Sequence, residues 1–197
     1  MLTPEMKTCR VECSRELLSL IEANEADFFA RIVTGDETWL HHWDPESKQE
    51  SMQWKHLGSP PPLKFRTQPS AGKIMATVFW DSEGILLIDY LPRKTTMNGV
   101  YYAGLLVQLR QAIKEKRRGK LQLGVRLLHD NAPVHTARVS QDAIKECGFE
   151  MIPHPPYSPD LAPSDFFLFP QLKKHLRGTR FSDDEKLKEA TEAWFQT

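Results

Sequence analysis

Three aspartates stand where a carboxylate is costly to place. Asp36 lies inside an apolar, strand-like stretch, Val33-Thr34-Gly35-Asp36-Glu37-Thr38-Trp39. Asp130 closes a second apolar run, Leu127-Leu128-His129-Asp130-Asn131-Ala132-Pro133. Asp165 opens a helix-like stretch after Tyr157-Ser158-Pro159-Asp160-Leu161-Ala162-Pro163-Ser164. An anion held within hydrophobic surroundings must be compensated. Two carboxylates about 4 Å apart repel by roughly 4 kcal/mol at an effective dielectric near 20, and a divalent cation removes that penalty. An all-oxygen ligand set selects Mg2+ or Mn2+ over zinc. Two such ions serve phosphoryl transfer by stabilising the attacking and leaving oxygens. The residues therefore point to phosphodiester chemistry at a carboxylate-bound metal pair.

Other acids fit less well. Glu37 follows Asp36 directly, so strand alternation directs it to the opposite face. Asp160 sits in a proline-rich turn and suits turn formation. Asp81 and Asp89 flank a hairpin. His129, Asn131 and His135 surround Asp130 and carry two readings. They could orient a ligand or touch a phosphate near a helix start, or they could serve local turn hydrogen bonding.

The elements that must position these residues follow from periodicity and punctuation. Thr3-Pro4-Glu5 is a helix start, with an N-cap, proline at the first position and an acid in the first turn; the helix runs to about Asn24. A short helical piece, Ala26 to Ala30, leads into a strand from Ile32 to Trp43. Gln49 to Trp54 is expected as a partner strand, and the proline-rich Lys55 to Gly72 as a long loop. Strands Lys73 to Trp80 and Ile85 to Leu91 flank a turn at Asp81-Ser82-Glu83-Gly84. A helix from Asn98 to about Arg118 is expected to bury Val100, Leu105, Leu106, Leu109 and Ile113. Val125 to His129 is a buried strand of the parallel kind. A helix from about Thr136 to Cys147, closed by Gly148, and a strand Phe149 to Ile152 come next. Pro153 to Pro163 is an extended loop that delivers Asp165. Ser164 is expected to cap a helix to about Leu176, and Ser182-Asp183-Asp184-Glu185 to start a last helix toward Trp194. The order predicts an α/β fold, a mixed sheet flanked by helices.

Composition sets bounds. The formal net charge is zero, but Arg110 to Lys120 holds six Lys or Arg against one Glu. Such a run is either a solvated helix end or a local phosphate-binding face. Cys9, Cys13 and Cys147 are the three cysteines, an odd number that does not build a disulfide framework. No apolar run reaches eighteen residues, so no membrane span is expected, and the first residues lack the basic head and apolar stretch of a signal peptide.

The three blocks around the aspartates resemble the catalytic blocks of mariner-type transposases. These are Val-Thr-Gly-Asp-Glu-Thr-Trp, His-Asp-Asn-Ala-Pro-Val-His-Thr and Tyr-Ser-Pro-Asp-Leu-Ala-Pro-Ser-Asp-Phe, in that order, with thirty-four residues between Asp130 and Asp165. The likeness runs from about Leu2 to the end and includes Asp44 to Trp54. It implies a ribonuclease-H-like fold of the DDE/D superfamily, with a mixed five-stranded sheet and an N-terminal helical lead-in. Residues 1–30 are then a lead-in from the inter-domain linker, and 31–197 the catalytic domain. The resemblance implies Asp36, Asp130 and Asp165 as catalytic metal ligands for two Mg2+ or Mn2+ ions. It implies cut-and-paste DNA chemistry on transposon ends and a TA target, in the nucleus, with the 55–72 loop clamping the second subunit of a homodimer. Against the family pattern, the chain is expected to start after two helix-turn-helix units and to stop a few dozen residues early. A transposase-derived, non-catalytic DNA-binding or dimerisation protein of a host genome is the alternative, and a generic nuclease of the same fold a third.

Overall fold

The computed structural model describes residues 2–46 and 69–196. The expected strand at Gln49 to Trp54, most of the 55–72 loop and its dimer-clamp role lie outside the described residues. The chain divides into two compact units. One comprises Met1–Thr38 and Ala76–Phe169, the other Trp39–Met75 and Pro170–Thr197.

A five-stranded mixed sheet organises the first unit. Its strands are β1 (Ile32–His41), β2 (Lys73–Asp81), β3 (Gly84–Tyr90), β4 (Val125–Leu128) and β5 (Phe149–Met151), in the spatial order β3-β2-β1-β4-β5. β2 and β3 form an antiparallel hairpin, with Gly84 at φ +117° in its turn and a register shift between Phe79 and Trp80. β1, β4 and β5 run parallel. This is the mixed, helix-flanked sheet the element order predicts.

The first three helices of this unit form where local signals place them, with differences that packing explains. Thr3 caps α1 (Pro4–Ala23) by accepting from the Met6 amide at 3.3 Å. Asn24 likewise caps α2 (Glu25–Arg31). Leu17, Leu20 and Ile21 of α1 pack on Phe28, Leu128 and Ile152, which ties the N-terminal helices to the sheet. Asn98 caps α3 (Gly99–Lys116) through the Tyr101 amide at 2.9 Å. The buried stripe of α3 is Tyr102, Leu105, Leu106, Leu109 and Ile113. Val100, expected in that stripe, is 71% exposed. Counting back from Tyr102 by three or four residues reaches Gly99 and Asn98, so Val100 faces nearly half a turn away from the stripe. Burying each large apolar side chain of the stripe is worth roughly 1.5–3 kcal/mol, and together with Val33, Phe79, Leu86 and Leu127 they form the main core. Gly99 is where α3 meets the next helical segment. A Cβ there would stand 2.8 Å from Val139 and 2.9 Å from Ala137.

Past α3 a short α4 (Lys120–Leu123) intervenes before β4. The single helix expected from Thr136 to Cys147 is two pieces, α5 (Pro133–Thr136) and α6 (Arg138–Glu146), because Ala137 is extended (ψ 142°). Gly148 ends α6 at φ +72°, as expected. Within the proline-rich 153–163 segment, Pro159–Leu161 forms one 3-10 turn. Arg10 of α1 pairs with Asp160 of that turn through both carboxylate oxygens, a role beyond turn formation.

The second unit holds α7 (Phe169–Leu176) for most of its length and α8 (Asp184–Phe195). Asp183 caps α8 by accepting from the Lys186 amide at 2.9 Å. Asp184 bonds His42 Nε2 at 2.7 Å, and Leu187 and Thr191 are buried. Among the described residues no helix is long and apolar enough to cross a membrane.

Candidate active site

Strand register explains why two distant aspartates meet. Thr34 of β1 pairs with Leu128 of β4 in parallel register, and the Thr34 hydroxyl donates to the Leu128 carbonyl at 3.1 Å. Asp36 and Asp130 each lie two residues further along, at the same level beyond the paired segment. This is the carboxyl end of parallel strands, where open α/β sheets place their sites. At Gly35 the strand passes close to β2. The Gly35 Cα faces the Phe79 ring so closely that a Cβ would stand 2.2 Å from Cδ1.

Asp165 arrives from the other direction, on a π-helical turn, Ser164–Leu168, that runs directly into α7. Wide turns of this kind occur often at functional sites. Ser164 does not act as the expected helix cap. Its hydroxyl instead accepts from Trp80 Nε1 at 3.0 Å, and Trp80 stacks on Phe167 with ring centroids 6.3 Å apart. The turn is thereby fastened to β2, with Asp165 itself exposed.

Asp36 senses both of the other carboxylates. The Asp36 carboxyl is pushed up to about 7, first by burial and then by the charge of Asp165, with Glu37 and Asp130 adding to it. The Glu37 amide, which donates to Asp36 Oδ1 at 2.7 Å, opposes the rise without cancelling it. Asp130 moves the other way. Its hydrogen bond from His135 holds it below the usual carboxylate range against the pull of burial, helped by the Ala132 amide at 3.0 Å.

His135 is the centre of the surrounding network. It is 1% exposed. Its Nδ1 donates to Asp130 Oδ1 at 2.8 Å, and its Nε2 forms an ion pair with Glu37 Oε2 at 3.2 Å. Burial alone would lower this histidine, but the two carboxylates prevail and raise it to about 10. It is therefore an imidazolium between two acids at neutral pH. His129, stacked on it at 4.7 Å, is the reverse case. Burial lowers it to about 3, so it is neutral. The buried Tyr102 hydroxyl, pushed far up by burial and the nearby carboxylates, keeps its proton and donates to His129 Nδ1 at 2.7 Å. Asn131 donates to the His154 carbonyl and joins the Asp130 loop to the proline-rich segment.

The structure thus joins Asp130, His135 and His129 in one network and sets Asp36 within electrostatic reach of Asp165 and Asp130, with Asn131 fastening loops at the edge. Glu37, Tyr102 and Trp80 are not singled out by the sequence pattern. Glu37, which strand alternation directs away from Asp36, reaches the same histidine that holds Asp130. Tyr102 had a signal, since it precedes Leu105 and Leu109 by helical spacing; Trp80 had none.

The donor set suits a hard divalent cation, because a cation would offset the burial and the repulsion that together hold Asp36 near 7. Among the described residues, no three His, Cys, Asp or Glu side chains are gathered closely enough to hold a metal ion. Coordination by the trio would require the carboxylates to draw together.

Known proteins resemble this chain over its whole length. The sequence model of the family Transposase_1, described as transposase (partial DDE domain), matches residues 44–123, a span that contains none of the three aspartates. The chain is 36% identical to the mariner Mos1 transposase of Drosophila mauritiana, over 95% of this chain and 52% of that protein. It is 30% identical to the histone-lysine N-methyltransferase SETMAR of Homo sapiens, over 100% of this chain and 28% of that protein. It therefore spans about half the length of the first and about a quarter of the second. Among solved structures, the catalytic domain of Mos1 mariner transposase superposes with a TM-score of 0.79 at 32% identity, over 100% of this chain and 84% of that one. The Mos1 mariner paired end complex with Mn superposes with a TM-score of 0.89 at 35% identity, over 100% and 56%. The sheet order and lead-in helices described above are those of this ribonuclease-H-like catalytic fold.

Proposed function

The chain belongs to the mariner transposases, in their catalytic domain, and from this premise we propose that it cleaves and joins DNA strands with the help of divalent metal. The observation that carries the reading is that Asp36 of β1 lies level with Asp130 just past the carboxyl end of β4, within electrostatic reach of both Asp130 and Asp165. These three would hold two Mg2+ or Mn2+ ions, and the charge of such ions stabilises the attacking and leaving oxygens of phosphoryl transfer. Residues 31–197 would be the catalytic part and 1–30 its lead-in.

The remaining work falls to the chain's own groups, and it is positioning rather than covalent catalysis. His135 fixes the rotamer of Asp130 and keeps that carboxylate ionised. Glu37 holds the second nitrogen of His135, and the Tyr102–His129 pair packs against the ring, so the imidazolium cannot swing away. Asp36 holds a proton more tightly than Asp130 does and would release it to a bound cation. Trp80 holds the turn that presents Asp165. The substrates on this reading are transposon ends and TA target DNA, in the nucleus, with a homodimer through the 55–72 loop.

The test is a pre-nicked transposon-end duplex with the folded chain and Mn2+. Cleavage followed by joining to a TA-containing target, both lost in Asp130→Asn, is the expected result. Cleavage without joining would reduce the reading to a nuclease of the same fold. No cleavage by folded protein at any concentration would remove the enzymatic reading for this chain. A second reading draws on the similarity to SETMAR, a protein named for a different chemistry. In it the chain is a transposase-derived, non-catalytic DNA-binding or dimerisation protein of a host genome. That reading requires Asp130→Asn to leave the cellular role unchanged.

A further inference from the structure

The site described above occupies the N-terminal end of α3, where Tyr102 meets His129. The other end of the same helix carries an excess of positive charge without a structural use. A pocket of about 450 Å3 opens there, lined by Arg110, Lys114, Arg117, Arg118, Leu121 and Gln122. Part of the basic run is consumed by the fold. The wholly buried Asp81 carboxylate takes both Arg117, at 3.0 Å, and Lys120, at 2.8 Å. Lys116 donates to the Leu86 carbonyl at 2.8 Å, and Glu83 lies 3.6 Å from Arg117 at the rim. Glu115, the acid within the run, accepts a bond from Gln111. Arg110, Lys114 and Arg118 are exposed, and they make no ion pair among the described residues.

A helix C-terminus is satisfied by one or two nearby cations, and Lys114 and Lys116 already stand in the last turn. The further cations only repel one another in the free protein. Arg110 and Lys114 are one turn apart on the same face, and Arg118 follows beyond the helix end, so all three converge with Arg117 on one pocket. Guanidinium and ammonium groups gathered in this way match the chemistry of consecutive phosphates.

We propose that this pocket is a second DNA-contact site, gripping the phosphate backbone of duplex DNA away from the position of cleavage. The choice of duplex DNA as the ligand rests on the strand-cleaving reading; the pocket itself does not. From Tyr102 to Lys116 the helix rises about 21 Å at about 1.5 Å per residue. That equals about six base-pair steps at about 3.4 Å each. The contact is sequence-independent, so it contributes grip and salt dependence, not recognition.

The experiment is fluorescence anisotropy with a long labelled duplex of arbitrary sequence, in chelator, across a salt series. The variant is Arg110→Ala/Lys114→Ala/Arg118→Ala, and circular dichroism checks its folding; Arg117 is left in place because Asp81 needs it. The control is Arg138→Ala, an arginine side chain 96% exposed on α6. The slope of log affinity against log salt is expected to shrink by about 2 to 3 in the triple variant, with an affinity loss on the order of tenfold to a hundredfold at low salt. The control keeps the wild-type slope. An unchanged slope in the triple variant, or an equal loss in the control, overturns the proposal. So does tight binding of inorganic pyrophosphate with no binding of duplex, which would make the pocket a small-anion site. Nicked-duplex cleavage run in parallel separates the two readings. A chain that never cleaves but shows the slope change keeps the pocket and loses only the enzymatic reading.

Discussion

Replacing Asp36 by Asn should make the metal-free protein more stable while disabling it. Folding raises the Asp36 carboxyl from 3.8 to about 7, through burial and the charge of its neighbours. Between those two pH values the native state holds a proton that the unfolded chain has already released. Stability is therefore full below the unfolded value and falls as pH rises through about 7. The gap amounts to about 4 kcal/mol at about 1.4 kcal/mol per pH unit, and solvent at the partly open site reduces it to an expected 2–4 kcal/mol. Asn cannot ionise and escapes this cost. Its amide oxygen can still accept the Glu37 amide that Asp36 binds at 2.7 Å. Urea denaturation in chelator at about pH 8 should show the Asp36→Asn midpoint higher by about 1–2 M, for a slope near 2 kcal/mol/M. Near pH 4 the two proteins should coincide. Mn2+ at a hundredfold excess over its dissociation constant should add about 2.7 kcal/mol to the wild type and much less to the variant. Equal stability at about pH 8 would refute the reasoning. An advantage that persists undiminished at about pH 4 would also refute it, because it would then come from packing and not from charge.

Three more expectations follow from single contacts. His135→Gln removes an imidazolium raised to about 10; it should cost about 3 kcal/mol near pH 7, and the difference from wild type should close as pH rises through about 10, measured by urea denaturation. Gly35→Ala drives a methyl group to 2.2 Å from the buried Phe79 ring; a loss of at least about 1–3 kcal/mol is expected in thermal melts, and cleavage should fall further than stability because Asp36 is the next residue. Asp81→Asn strands Arg117 and Lys120 around a side chain with no exposure; a loss of about 3–5 kcal/mol is expected, and a loss under about 1 kcal/mol would show that the pair is balanced by its desolvation.

Features that depend on neighbours within a few residues are legible in the amino-acid sequence. The caps at Thr3, Asn98 and Asp183, the hairpin turn at Gly84 and the end of α6 at Gly148 are such cases. Each is settled by one side chain or one positive φ. Where a feature depends on what lies across the fold, the sequence pattern misleads or is silent. Val100 looks apolar in an apolar run, but the sheet meets α3 along a line that misses it. Ser164 has the composition of a cap, but Trp80 takes its hydroxyl. Asp81 reads as a turn residue, and two cations from thirty-six and thirty-nine residues further on make it a buried anchor.

The sequence by itself singled out three carboxylates as candidates, because an acid within or beside an apolar strand has few purposes and the blocks around these three resemble those of one family. It also determined the order of elements, since periodicity and punctuation are local. Only the tertiary structure decided how the carboxylates differ. Asp36 and Asp130 are the same residue type, at matching positions past two parallel strands. One is forced toward its neutral form by burial among other acids, while the other is held charged by a histidine. That histidine is itself kept protonated by Asp130 and by a glutamate from the neighbouring strand. A carboxyl's proton affinity depends on the dielectric and the charges within a few ångströms of it, and those are fixed only once the chain has folded.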